Sequence, residues 1–462
     1  MDAASAARLV LADRNEGDKV REIRSQNAQA AKDIGFLWGY QSDAPTYCKP
    51  LVADGSLYFS NADGRIFALD AGNGKLKWDS HFATTTGQNS APEMARDPKD
   101  GTLYCGTMGH TVNALDPLTG RVRWSTDVGA PVFQAPVPGP ADGPVVCGTR
   151  YGRLLGLDRV DGQVKWDLKL GDEVSSVPVV DAKNGTVYAT ATGACRDGNF
   201  QAIDWATGQK KWSLLEGGQA ACAPIVDSRD QTVYTGMFNG TLYALDPASG
   251  KKLWEFPTGR SILVSPVLDE ARDTLYCASS DGKLYALEPS TGQMKWSREM
   301  GDGWGSGRAE HPPLVDPRDG TVYCGCADGG VFAFEPTGGN IRWRSQADGR
   351  VSALQLDGKS GTLYFGSADA RFRAVDGQSG RELWQITSGG ASMGQAHVDP
   401  VEGIVYFGDV EGIMYALASP EVCVKREAAQ QAPAESVRTE IRVEEDFVVV
   451  GGLRLPRRRS AS

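Results

Sequence analysis

Asp116-Pro117-Leu118-Thr119-Gly120-Arg121-Val122-Arg123-Trp124 sets an acid, three residues, a glycine, three residues and a tryptophan in line, and the chain repeats that skeleton. It returns as Asp70/Gly74/Trp78, Asp158/Gly162/Trp166, Asp204/Gly208/Trp212, Asp246/Gly250/Trp254, Glu288/Gly292/Trp296, Glu335/Gly339/Trp343 and Asp376/Gly380/Trp384. Successive copies stand about 42 residues apart, a period that means stacked units rather than independent domains. Trp38 precedes the first copy by about one unit and lacks the acid and glycine in register.

Working outward from the motif, each unit has the same plan. A run such as Ser176-Val177-Pro178-Val179-Val180 leads through a polar turn to Thr186-Val187-Tyr188-Ala189-Thr190. The equivalents of Leu242-Tyr243-Ala244-Leu245-Asp246 and Lys251-Lys252-Leu253-Trp254 follow. These are four short alternating runs, the pattern of strands. Asp63-Gly64, Asn239-Gly240 and Asp281-Gly282 are hairpin turns, because those residue types tolerate positive φ. A four-stranded sheet this small cannot cover both its faces alone. Repetition of such sheets around an axis covers them, so the fold class is all-β, a β-propeller.

The stretch Ala114 to Trp124 resembles the tryptophan-docking motif of the PQQ-like, or quinoprotein-like, β-propeller repeat (PQQ is pyrroloquinoline quinone). Ala68, Ala202, Ala244, Ala286, Ala333 and Ala374 fill its first position in other copies, and Gly156 departs. The resemblance implies that each Trp stacks against the alanine and the glycine-bearing turn of an adjacent blade, making Trp38, Trp78, Trp124, Trp166, Trp212, Trp254, Trp296, Trp343 and Trp384 bolts between sheets. Nine units are counted by their second strands, whereas the family usually closes with eight, so an eight- or nine-bladed ring is expected. The last unit, Ile404 to Leu417, has no Trp-bearing fourth strand. Ile34-Gly35-Phe36-Leu37-Trp38 is the expected donor, which leaves no open edge; Val422 to Arg426 is the rival. The domain plan is an N-terminal helical or disordered extension at 1–33, loosely held, the propeller at 34–420, and a linker and C-terminal tail at 421–462, where strand character from Val437 to Leu455 suggests a β-hairpin.

Composition narrows the function. The 462 residues carry a net charge of -10 and no basic stripe within the repeats, which disfavours nucleic acid as a partner. No stretch approaches the roughly 20 apolar residues of a membrane span. The nine cysteines are odd in number, without paired CxxC motifs, and read as reduced thiols; with no signal peptide legible in the first residues, a cytoplasmic monomer is expected. Cys105, Cys147, Cys277 and Cys324 occupy one core position of the second strand, and Cys324-Gly325-Cys326 lacks ligand spacing. The four histidines show no HExxH, so no metal is expected. The motif acids precede a turn, where a carboxylate caps backbone amides.

Loop lengths point to a binding face. The loop from strand four to the next strand one shares a face with the loop between strands two and three. From Trp to the next Tyr most units take 22 residues, but Trp78 to Tyr104 takes 26 and Trp296 to Tyr323 takes 27; from Tyr to the acid most take 12, but Tyr188 to Asp204 takes 16. The three insertions, His81 to Met94, Thr192 to Asn199 and Gly301 to His311, therefore gather on one face, where binding groups concentrate. Trp304, Arg308 and His311 head the candidate contact residues, with Arg150, Tyr151, Met237, Phe238 and Arg260 on neighbouring loops.

The expected function is a non-catalytic scaffold that binds a protein or another large partner through this face, without a cofactor. The resemblance also implies an alternative, a PQQ- and calcium-dependent dehydrogenase of alcohols or sugars. Such enzymes carry adjacent cysteines over the quinone, and no Cys-Cys pair stands in this sequence. Two further resemblances exist at the level of the repeat. One is to the propeller appended to acyl-activating, β-alanine-activating enzymes, whose adenylation domain is missing here. The other is to the propeller lipoprotein of outer-membrane assembly, whose lipobox cysteine is missing from the start.

Overall fold

In the computed structural model the described residues are 17–27, 35–82, 93–140, 142–174, 176–193, 199–215, 218–219, 222–301, 307–392, 394–418, 422, 441–443, 447–450 and 453–456. Nine antiparallel sheets of four strands follow one another around a ring, a nine-bladed propeller. Blades 1 to 8 span 51–81, 94–127, 137–169, 173–214, 225–257, 267–299, 314–346 and 355–387. Blade 9 takes three strands from 397–418 and its fourth from Gly35–Gln41, so the ring closes through the N-terminal strand. Trp38 pairs there with Ala416 and Gly35 with Ala418, which rules out Val422 to Arg426 as the closing strand. Blade 4 gains a fifth strand, Glu173–Val174, paired with Thr192 and Ala191.

Burial follows from stacking. Second and third strands lie between neighbouring blades and are buried on both faces, as in Leu103–Gly106 and Val405–Gly408. Fourth strands form the outer rim and alternate, so that Val122–Asp127 buries Trp124 and exposes its neighbours. Each buried aliphatic or aromatic side chain contributes about 1.5–3 kcal/mol by leaving water.

The Trp motif acts on two levels. Trp124 pairs across its own blade with Ala114, and Trp166 with Gly156. The alanine thus belongs to the same blade as its Trp, while the glycine belongs to the next, a refinement of the sequence expectation. Trp78 lies against Gly120, whose φ of 69° and position only 2.4 Å from the ring at a built Cβ leave no room for a side chain. The Trp78 indole N–H donates to Pro117 O at 2.9 Å, and Trp124, Trp166, Trp212, Trp254, Trp296 and Trp343 reach the equivalent carbonyls of the next blade. Trp38 does the same at Ala71 O, 3.1 Å, across the closure. Asp116 Oδ1 caps its turn by accepting from Leu118 and Thr119 N–H.

Between blades 8 and 9 the arrangement changes. Among the described residues Trp384 has no such acceptor, and the corresponding residue, 419, lies outside them. Phe372 and Phe407 stack face to face there with centroids 3.8 Å apart. The helix Asp18–Gln26 adds Val20 and Ile23, 0% and 4% exposed, to the same core. It is therefore packed rather than loosely held, since Val20 sits over Gly39 of the closing strand and no side chain there blocks it. Asn27 then accepts from Thr387 N–H at 2.9 Å and donates to Thr387 O at 2.8 Å, as a neighbouring strand would.

Outside the repeats, Ile441–Val443, Phe447–Val450 and Leu453–Pro456 pair in that order as a three-stranded antiparallel sheet, one strand more than a hairpin.

Candidate functional site

The loop-rich face is knit by main-chain bonds between hairpins and the loops that enter and leave their blades. Arg150 N–H donates to Pro131 O at 2.9 Å, Ser280 N–H to Ser261 O and Ala327 N–H to Arg308 O. Val174 N–H donates to Thr149 O at 3.1 Å, as Ile262 does to Met237. Asp281 stiffens the face further by accepting from Gly259 N–H and Tyr285 O–H. These bonds hold the backbone and leave the side chains free to vary.

The candidate residues fall into two groups. In the first, Arg308 pairs with Glu310, and Arg350 reaches the other carboxylate oxygen at 3.5 Å. His311 beside them is half-buried, and burial pushes its imidazole below the usual range, with Arg350 adding to that and Glu310 opposing it. Trp304 and the centre of its loop, 302–306, lie outside the described residues, as do 83–92 and 194–198 of the other two insertions. Arg260 is half-buried, and its carbonyl accepts from the Thr258 and Ser279 hydroxyls.

The second group surrounds a cleft of about 320 Å³ lined by Phe133, Gln134, Gly148, Thr149, Arg150, Glu173 and Val174. The Arg150 guanidinium lies over the Phe133 ring, 5.1 Å from its centroid. Tyr151 projects beside it, 55% exposed. Phe238 is exposed on the hairpin of blade 5, whereas Met237 is 0% exposed and packs with Tyr188, Trp212 and Tyr243. Met237 is thus a core residue and not part of the face, because strand alternation turns it inward one position before Phe238. Phe133, Gln134 and Glu173 escaped the sequence reading, although the charge of Glu173 stands out once the units are aligned.

Elsewhere the chemistry is muted. The seven described cysteines are free and buried, and burial pushes the Cys326 thiol up to about 12. Burial also lowers Lys49 and His397 and raises Glu93, whose carboxylate accepts from Ala135 N–H at 3.3 Å. Among the described residues no three His, Cys, Asp or Glu side chains converge to hold a metal ion.

A closed ring of four-stranded blades linked by the Trp-to-glycine motif defines a PQQ-like β-propeller. The sequence profile of the outer membrane protein assembly factor BamB family matches residues 28–132, 109–261 and 238–452, and the chain belongs to that family. It is 29% identical over 101 residues to the assembly factor BamB of Alteromonas naphthalenivorans, covering 19% of this chain and 24% of that relative. It is 25% identical over 144 residues to the quinohemoprotein alcohol dehydrogenase ADH-IIG of Pseudomonas putida, covering 27% of this chain and 20% of that enzyme. The matches thus span a quarter or less of these relatives' own length. Among solved structures, BamB from Moraxella catarrhalis superposes with a TM-score of 0.54 at 17% identity, over 83% of this chain and 99% of that one, a likeness of fold.

Proposed function

We propose that this protein is a non-catalytic scaffold that binds a protein partner through its loop-rich face. The observation that carries the reading is that the strand ends from which the three long loops depart and the blade 3–4 cleft lie on one end of the ring. Exposed Tyr151 and Phe238 supply the aromatic contact surface that anchors protein interfaces. Membership of the assembly-factor family agrees with it. The test places a photocrosslinking residue at position 151 or 238, and as a control at Val160, 86% exposed on the opposite face. Adducts confined to the loop-rich face are expected. Equal labelling of both faces, or none, sinks the proposal.

A second reading, a PQQ-dependent dehydrogenase, is favoured by the partial match to the Pseudomonas putida enzyme. Titration of PQQ with calcium into the purified protein decides it. Saturable one-to-one binding would replace the scaffold reading with an enzyme.

A further inference from the structure

We infer that the cleft between blades 3 and 4 is a binding site for a small zwitterion of the free amino acid class, its carboxylate on Arg150 and its ammonium on Glu173. The internal repeat supplies the argument. Arg150 stands at the hairpin position occupied in other blades by Ala62, Phe238, Ser280, Ala327, Ala368 and Val410, each joined to the preceding loop by the same main-chain bond. That bond needs only a backbone N–H, so the fold has no use for a cation there.

Glu173 stands at the loop position occupied by Pro45, Pro131, Ser261 and Ala391, each followed by a residue whose N–H reaches the hairpin. An acid is not required there either. The two unneeded charges nevertheless fall in one wedge, on either side of the bond from Val174 N–H to Thr149 O. They do not neutralise each other. Arg150 lies over Phe133 instead, and among the described residues neither Arg150 nor Glu173 has an ion-pair partner. Where the same loop position carries Arg308 and Arg350 in blades 7 and 8, both are matched to Glu310. The face therefore pairs its charges in one wedge and holds them apart in the other.

What separates them is a space of about 320 Å³, within the range of small-molecule sites. Its remaining walls suit the rest of such a ligand. Half-buried Phe133 offers apolar surface to a side chain of modest size, and Gln134 offers a hydrogen bond beside the charged ends. The planar guanidinium, already oriented by the aromatic ring, presents N–H pairs matched to a carboxylate.

The test is calorimetric titration of the full-length protein with L-leucine, and with N-acetyl-L-leucine and L-leucinamide, which lack the ammonium and the carboxylate respectively. Saturable binding of L-leucine is expected, at least tenfold weaker for either blocked analogue. Arg150→Gln should abolish the advantage of L-leucine over L-leucinamide, and Glu173→Gln its advantage over N-acetyl-L-leucine. Arg150 is exposed and Glu173 half-buried, so thermal midpoints should stay close to that of the unaltered protein and confirm folding. Absence of L-leucine binding, equal binding of the blocked analogues, or binding indifferent to both substitutions would overturn the inference. The crosslinking pattern at positions 151 and 238 reports on a protein partner separately, so either idea can fail while the other stands.

Discussion

Where blade 4 meets blade 5, Trp212 lies over Gly250 and its indole N–H donates to Pro247 O at 2.8 Å. Where blade 8 meets blade 9, Trp384 has no such acceptor among the described residues, and a phenylalanine stack, a helix and the Asn27 side chain hold the wedge. The first solution is written once per unit and costs nothing extra to repeat. The second accompanies a blade whose fourth strand comes from Gly35–Gln41, so that no acid, glycine and Trp skeleton follows its third strand in sequence. The motif therefore serves the interface and not the blade, since the sheet of blade 9 forms without it.

The contrast breaks most severely if residues 1 to 41 are deleted. Both the closing strand and the helix go, and loss of the cooperative melting transition with a larger radius of gyration by X-ray scattering is expected. A truncation as stable as the whole chain would mean that the ring closes elsewhere. Trp212→Ala should cost about 3–5 kcal/mol in urea unfolding, as for other buried Trp losses. Trp384→Ala should cost less by about 1 kcal/mol, the net worth of one hydrogen bond. Equal costs would show that the ninth wedge is fastened like the rest. Asn27→Ala should cost about 1–3 kcal/mol by leaving Thr387 N–H and O without their partner, and amide exchange at Thr387 should accelerate. Unchanged exchange there would remove Asn27 from the clasp. The smallest effect belongs to the exposed pair of Lys19 and Glu411, where Glu411→Gln should change stability by less than about 1 kcal/mol and less still at high salt.

The regular part of this protein was open to reading because one residue type recurs at one spacing. Trp, Gly and acid named the strand, the turn and the period, and nine second strands gave nine blades. The departures were harder. Val20 and Ile23 occupy too short a run to show which surface they cover, and the seat for Val20 is a glycine, Gly39, on a strand closing a blade at the far end of the chain. On the loop face, Arg150, Tyr151 and Phe238 were expected only as residues of loops neighbouring the insertions, and all three side chains are exposed. Met237 was misplaced because a hairpin's first residue points inward while its second points out. Glu173 stayed hidden for another reason: it is no insertion but an ordinary position with an unusual side chain.

The pairing of Gly35 with Ala418 also imposes an order in time. At about 5–20 residues per second, the ribosome takes roughly 20 to 80 seconds between delivering one partner and the other. Blades 1 to 8 can stack in turn as they emerge, each finding its neighbour already made. The first strand, though, must wait beside blade 1 with its edge bare until Ile413–Ala418 has emerged. During that interval the nascent chain is an open arc with two adhesive ends, and a second nascent arc on the same message offers the same surfaces.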